Sequence, residues 1–251
     1  MRPFTNPTLW AGLALASLGW FPSSGRAAEA PVLVELFTSQ GCSSCPPAEV
    51  WLNGEGMSLF KQGKIIPLAF HVDYWDYLGW KDPFSSPENT QLQKDYADLW
   101  QSRSIYTPQM VVQGKVGFVG SEGDKAEREI GKAKAGPFPL SLKAQVLSSG
   151  IQVGILGKIP SGEEVWVVLF QNGCVTKVDR GENRGRTLEE NFVVRQWGRM
   201  ASNSQFHRNF HFKIPPGSKP PNLGVAVFLK DTFTLEVVSA KCLFPILPTA
   251  H

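Results

Sequence analysis

Residues 31–49 read PVLVELFTSQGCSSCPPAE, and most of what the sequence says about fold turns on this stretch. Pro31 to Thr38 is a short β-branched and Leu/Phe run bounded by turn residues, the signature of a buried strand. Two cysteines follow at a spacing of three, Cys42 and Cys45, and then Pro46-Pro47. Consecutive prolines fit a helix only in its first turn, where the backbone N–H groups have no partner inside the helix. Cys45 therefore stands at the entrance of a helix and Cys42 just before it. Both thiols then meet the positive end of the helix dipole, which favours thiolate. A dipole interaction of up to ~2 kcal/mol lowers a reference thiol near ~8.5 by about one unit, since one unit is worth ~1.4 kcal/mol. No Lys, Arg or His lies within five residues of the pair, so the expected redox poise is moderate.

Outward from this motif, the chain alternates strand and helix. Pro46–Gln62 has helical spacing (Val50, Leu52, Leu59, Phe60) broken by Gly54 and Gly56, which predicts an interrupted helix. Ile65–Val72 reads as a second strand. Ser86-Pro87-Glu88 opens a helix with a capping Ser, Pro at the first position and an acid in the first turn. Leu92, Tyr96, Leu99 and Trp100 give that helix one apolar face as far as about Arg103. Met110–Gln113 and Val116–Val119 predict a hairpin with Gly114-Lys115 as a two-residue turn. Ser121 and Asp124 have capping-box spacing before a last helix that runs to about Lys134. The order β-α-β-α-β-β-α fills residues 31–136.

Gly136-Pro137 and Pro139 mark a change of texture. Eight strand-like runs follow: Leu140–Leu147, Ile151–Leu156, Val165–Phe170, Cys174–Val178, Phe192–Val194, Phe206–Phe212, Gly224–Leu229 and Leu235–Val238. Short strands at this spacing predict an all-β, sandwich-like domain over residues 137–251.

At the other end, Arg2 precedes an apolar run of about 13 residues, Leu9–Phe21, and then small residues at Ser23, Ser24, Gly25, Ala27, Ala28 and Ala30. This is the pattern of a secretory signal over residues 1–30, too short for the ~20 apolar residues of a spanning helix. The expected product is an exported protein, periplasmic or secreted, with no stable membrane insertion after cleavage. The whole chain of 251 residues carries a formal charge of +3, which argues against nucleic acid as a partner. In an oxidising compartment, four cysteines are expected to be paired or to handle pairing. Cys174 and Cys242 fall in two different predicted strands and are expected to form a structural disulfide, worth roughly 4 kcal/mol by loop closure.

Three further clusters carry candidate chemistry. Ile105-Tyr106-Thr107-Pro108-Gln109 stands just before the predicted hairpin. His71, Asp73, Tyr74, Trp75, Asp76, Tyr77 and Trp80 follow the second strand. They read either as a wall of a substrate groove, with His71 as base or metal ligand, or as a cap on the core with His71 held by hydrogen bonds. Arg180-Gly181-Glu182-Asn183-Arg184-Gly185-Arg186 reads as an anion-binding turn, a solvated hairpin or an interdomain contact.

The CxxC after the first strand, the element order and the Thr-Pro before the hairpin together resemble the thioredoxin superfamily. The longer strings ELFTSQGCSSCPPAE, AFHVDYWDYLGWKDPF, YTPQMVVQG and RGENRGRTL are similar to a bacterial family of secreted thioredoxin-like proteins, the DUF1223 type. The resemblance implies an α/β thioredoxin-like domain followed by the β-rich one. It also implies a cis Pro108 opposite the cysteines, Cys42 as attacking thiol and Cys45 as resolving thiol. Thr107 would offer its backbone to an extended polypeptide or small disulfide, beside His71, Trp75 and Trp80. The expected function is an exported thiol–disulfide oxidoreductase acting on protein or small-molecule thiols and disulfides with a redox partner protein. Such exchange needs no bound cofactor and no resident metal. Two alternatives use the same residues. One is a copper-binding or delivery protein built on Cys42, Cys45 and His71, since thiolate and imidazole suit copper. The other is a non-catalytic module that presents the β domain to a partner.

Overall fold

The computed structural model describes residues 30–201 and 205–246. The expected signal segment lies almost wholly outside the described residues, and no described helix is long and apolar enough to cross a membrane.

Strand β1 (Val32–Thr38) and strand β2 (Ile65–His71) are buried along their whole length and pair in parallel, Val32 opposite Ile65 through Thr38 opposite His71. Between them the chain forms α1 (Pro46–Trp51), one π-helical turn (Leu52–Gly56) and α2 (Met57–Lys61). The two glycines that weaken the helical pattern thus mark a widened turn, not a break. Helix α3 (Pro87–Leu99) starts as its sequence predicts: Ser86 Oγ accepts from the backbone N–H groups of Glu88 and Asn89. It ends earlier than expected, at Leu99, and its inner face is Leu92 and Tyr96.

The hairpin of β3 (Gln109–Val112) and β4 (Val116–Val119) closes through three residues, not two, with Gln113 and Gly114 both at positive φ. Gly114 is required there, because a Cβ would come within 2.2 Å of the Leu235 carbonyl oxygen. Helix α4 (Gly123–Lys132) is entered through Glu122 without a side-chain cap, so the Ser121–Asp124 capping box does not form.

Nine strands follow: β5 (Ser141–Leu147), β6 (Gly150–Lys158), β7 (Glu163–Gln171), β8 (Cys174–Lys177), β9 (Thr187–Glu190), β10 (Val193–Ala201), β11 (Gln205–Phe212), β12 (Leu223–Asp231) and β13 (Val237–Leu243). They do not keep to themselves: β5, β6 and β11 form one small sheet and β8 and β9 another, but the other four join the strands of the first half. A single eight-stranded mixed sheet runs β13-β12-β7-β10-β2-β1-β3-β4, so strands from 31–136 and from 137–251 lie side by side. The join is a short parallel pairing of β10 with β2, Val193 opposite Ala69, reinforced by Ala69 N–H donating to the Phe192 carbonyl at 2.9 Å. The start of β13 also meets the β3–β4 turn: Val237 N–H donates to the Gln113 carbonyl, and Gln113 Nε2 returns a bond to the Val237 carbonyl.

Alternation along β7 and β12 explains how one sheet serves two cores, since successive side chains point to opposite faces. Val165, Val167 and Leu169 with Leu223, Val225, Val227 and Leu229 pack against residues of the three-stranded sheet β11-β6-β5. Trp166, Val168, Phe170, Ala226 and Phe228 face the other way, into a core shared with Leu33, Phe37, Phe70, Leu92 and Tyr96. That second face also buries an ion pair. Lys230 Nζ donates to Glu35 Oε1 (3.0 Å) and to the Tyr96 hydroxyl (2.6 Å), and the Lys230 and Glu35 side chains are wholly buried. Burial lowers the Lys230 pKa and raises that of Tyr96.

Cys174 and Cys242 are free thiols, a correction to the expected structural disulfide. Cys174 opens β8 in the two-stranded β8–β9 sheet, whereas Cys242 lies on β13 opposite Ala226 in the large sheet. Burial pushes Cys174 up to about 11 and Cys242 up to about 12.

Candidate functional site

The C-terminal ends of parallel strands are where open α/β sheets place ligands, and β1 delivers the cysteine motif there. Cys42 and Cys45 are joined by a disulfide. Cys45 is the residue from which α1 departs, and its carbonyl accepts from Ala48 N–H at 2.9 Å. Cys42 Sγ lies 3.3 Å from Ser44 Oγ and 3.8 Å from the Thr107 carbonyl oxygen. The Thr107–Pro108 peptide bond is cis.

The aromatic cluster after β2 supports this corner. Trp75 Nε1 donates to Thr107 Oγ1 (2.8 Å), and the Trp75 Cβ lies so near Gly41 that a Cβ there would stand 3.0 Å from it. Trp80 Nε1 donates to Gln40 Oε1 at 3.1 Å. Trp75 and Trp80 are half-buried, while Tyr77 projects into solvent.

His71 is not part of a surface groove. It is fully buried, and its Nδ1 lies 2.7 Å from Asp82 Oδ2. Its neighbours are carboxylates, not sulfur: Glu49, one helical turn beyond Cys45, and Glu190, at the end of β9. Burial alone lowers the His71 pKa, but Asp82, Glu190 and Glu49 outweigh it and lift the imidazole to about 9. Burial and the Glu190 charge raise Glu49 to about 7. Burial likewise raises Glu190. Asp82 is lowered despite its burial, because His71 and the Gln40 and Phe84 backbone N–H groups favour its charged form. Gln40 ties the cluster together: its N–H donates to Asp82 Oδ2 (2.8 Å) and its Nε2 to Glu190 Oε2 (2.7 Å).

The disulfide itself has almost no solvent contact, with Cys42 0% and Cys45 1% exposed. The loop 180–186 takes part in this cover and contacts residues 40–43. Asn183, buried, donates through Nδ2 to the carbonyls of Gln40 and Cys42, each at 2.9 Å. Glu182 Oε2 accepts from Ser43 N–H at 2.9 Å, which places a carboxylate at the start of α1 and lowers the Glu182 pKa. Gly181 runs against Trp80, where a Cβ would lie 3.1 Å from the indole-bearing carbon. The three arginines of the loop are exposed. Beside this cover a cleft of about 540 Å³ is lined by Thr38, Cys45, Glu49, Asn53, Arg186 and Glu190, among others.

Of the expected site residues, Cys42 faces the Thr107 carbonyl and Trp75 bonds to Thr107, while Trp80 bonds to Gln40 and His71 lies buried among carboxylates. Glu49, Asp82 and Glu190 were not singled out in the sequence, and Asn183 only as part of the 180–186 loop. Glu49 carried a signal, since four residues from Cys45 is one turn of the same helix.

A mixed sheet that delivers a CxxC disulfide to the mouth of a helix, under a loop from its second half, defines the class of protein. The chain belongs to the family described as protein of unknown function (DUF1223), whose model matches residues 33–230. Among solved structures it is similar to protein AGR_C_4864 from Agrobacterium tumefaciens, with 26% identity and a TM-score of 0.63 over 90% of this chain and 99% of that one. It also shares its fold with HBP35 of Porphyromonas gingivalis, at 15% identity and a TM-score of 0.60, covering 89% of this chain and 78% of that one. No curated protein gives a significant match.

Proposed function

We propose that the protein is an exported thiol–disulfide oxidoreductase of thioredoxin-like character, periplasmic or secreted, with Cys42 and Cys45 as its redox pair. The observation that carries this reading is the Cys42–Cys45 disulfide at the entrance of α1, with the Thr107 carbonyl beside Cys42. Residues 31–136 hold the exchange centre, and residues 137–251 supply its cover and Glu190.

In the reduced protein the Cys42 thiolate attacks one sulfur of a substrate disulfide. That S–S bond breaks, one substrate thiolate leaves and a mixed disulfide remains on Cys42. Cys45, deprotonated, then attacks Cys42 Sγ and releases the second substrate thiolate. The substrate gains two electrons and two protons, and the protein ends with the Cys42–Cys45 bond. A dithiol redox partner reverses the oxidation. Glu49 suits the role of proton acceptor for Cys45: it lines the same cleft and its pKa of about 7 lets it hold or release a proton near neutrality.

The test is a disulfide-exchange assay with insulin and with a small aromatic disulfide, at fixed reductant. The parent should turn over both and Cys42→Ser neither; equal rates for parent and variant overturn the reading. Binding of copper by Cys42, Cys45 and His71 gains no support, because the His71 ring gathers with carboxylates.

A further inference from the structure

Beneath the cysteine pair lies a second constellation that the exchange chemistry uses only in part. His71 has one ring nitrogen committed: Nδ1 lies 2.7 Å from Asp82 Oδ2. The other, Nε2, is buried and has no hydrogen-bond partner. Both carboxylate oxygens of Glu49 are in the same condition. Glu190 completes the group with one oxygen accepting from Gln40. His71, Glu49 and Glu190 each present one ligand atom, and the three atoms lie within 4.8 Å of one another. A buried polar atom without a partner costs on the order of 1–3 kcal/mol, more if charged, so the unpartnered His71 Nε2 and Glu49 oxygens, gathered beside a Glu190 oxygen, call for an occupant.

Among the described residues no hydrogen bond reaches His71 Nε2 or either Glu49 oxygen. We propose that Glu49, His71 and Glu190 bind a divalent first-row transition cation through one imidazole nitrogen and two carboxylate oxygens. Asp82 is the outer carboxylate that orients the His71 ring, the arrangement typical of metal-bound histidines. Nitrogen and oxygen ligands of this kind suit Zn²⁺, Mn²⁺ and Fe²⁺. An ion with bonds of ~2.0–2.2 Å holds tetrahedral ligand atoms roughly 3.4 Å apart, so the three need draw in by no more than about 1.4 Å. The path of entry is the cleft, which Glu49 and Glu190 line together with Cys45. Three protein ligands leave the fourth position to water or to a substrate atom, as in catalytic zinc sites. The cysteines take no part, since their sulfurs are bonded to each other.

The experiment uses the full exported chain with its disulfide oxidised, freed of metal by chelation and titrated with Zn²⁺ alone. One equivalent should bind, and X-ray absorption should show only nitrogen and oxygen neighbours at ~2.0–2.2 Å. Cys174→Ser should retain this binding, which separates the site from the free thiol that stands opposite Glu190 across β8 and β9. Glu49→Gln and Glu190→Gln should each weaken binding at least tenfold, and Asp82→Asn by about 10–100-fold. Circular dichroism confirms that each variant is folded. Failure of the folded parent to retain Zn²⁺, sulfur in the coordination shell at ~2.3 Å, or undiminished affinity in folded Glu49→Gln each overturns the proposal. The exchange assay on the parent and Cys42→Ser depends on none of these outcomes, so the two readings fail separately.

Discussion

If the 180–186 loop covers the disulfide, then loosening its clamp must speed reduction, and Asn183→Ala is the cleanest way to loosen it. Asn183 Nδ2 holds the carbonyls of Gln40 and Cys42, and the side chain is buried. Two hydrogen bonds at about 1 kcal/mol net each give ~2 kcal/mol of docking free energy. Stranding the two carbonyls adds to that loss. Against it stands Asn183 Oδ1, which is itself buried without a partner, so its removal returns a similar amount. The two corrections offset each other, and about 2 kcal/mol remains. At 1.4 kcal/mol per factor of ten, the open population of the loop rises roughly 30-fold. Reductant reaches the sulfurs only through that open state, so the rate at limiting dithiothreitol should rise by the same factor. Quenched alkylation and mass shift measure the rate. A rate within twofold of the parent, in a variant that remains folded, refutes the idea that this loop gates the pair.

Other predictions rest on different parts of the structure. Removing one partner of a buried ion pair leaves an uncompensated charge, so Lys230→Met should lower unfolding free energy by about 3–5 kcal/mol in urea denaturation. A loss below 1 kcal/mol would contradict the assigned burial of Glu35 against Lys230. Glu49 and His71 both bind protons more tightly folded than unfolded, at about 7 against 4.5 and about 9 against 6.5. Their contributions are therefore fully present below pH 4.5 and 6.5 respectively, and fade as pH rises through 7 and then 9. Metal-free protein should have a higher denaturant midpoint at pH 5 than at pH 9, and Glu49→Gln should flatten the part of that fall between pH 4.5 and 7. Cys174 and Cys242 should resist alkylation in the native protein and both react after unfolding without reductant, whereas a second intramolecular disulfide in the mass would contradict their free state.

How far the sequence reached depends on how local each signal is. Strands β1 and β2 and helix α3 are legible because a run of branched apolar residues, or a Ser-Pro-Glu start, acts within a few neighbours. Strand β9 was not expected: Thr187-Leu188-Glu189-Glu190 has no apolar alternation, and its only buried residue is a glutamate. The shared sheet was not legible either, because it depends on Val193 meeting Ala69 across some 120 residues. Lys230 offered a hint, a lone charge on the same alternating face as Ala226 and Phe228 in an otherwise apolar strand. The cysteine pair was visible from one motif, while the cluster of Glu49, His71, Asp82 and Glu190 comes from four separate places in the chain. Cys174 and Cys242 show the opposite failure. An even count suggested a pair, but pairing is decided by which sheets the two strands join.

The central claim is that Cys42 exchanges disulfides and Cys45 resolves them. Cys45→Ser, reduced and mixed with an excess of a small disulfide such as oxidised glutathione, tests it most directly. The account predicts a stable mixed disulfide on Cys42, located by peptide mass mapping, and none at this motif in Cys42→Ser. No adduct on Cys42 in the folded Cys45→Ser protein, even with Asn183→Ala added to open the loop, would contradict it.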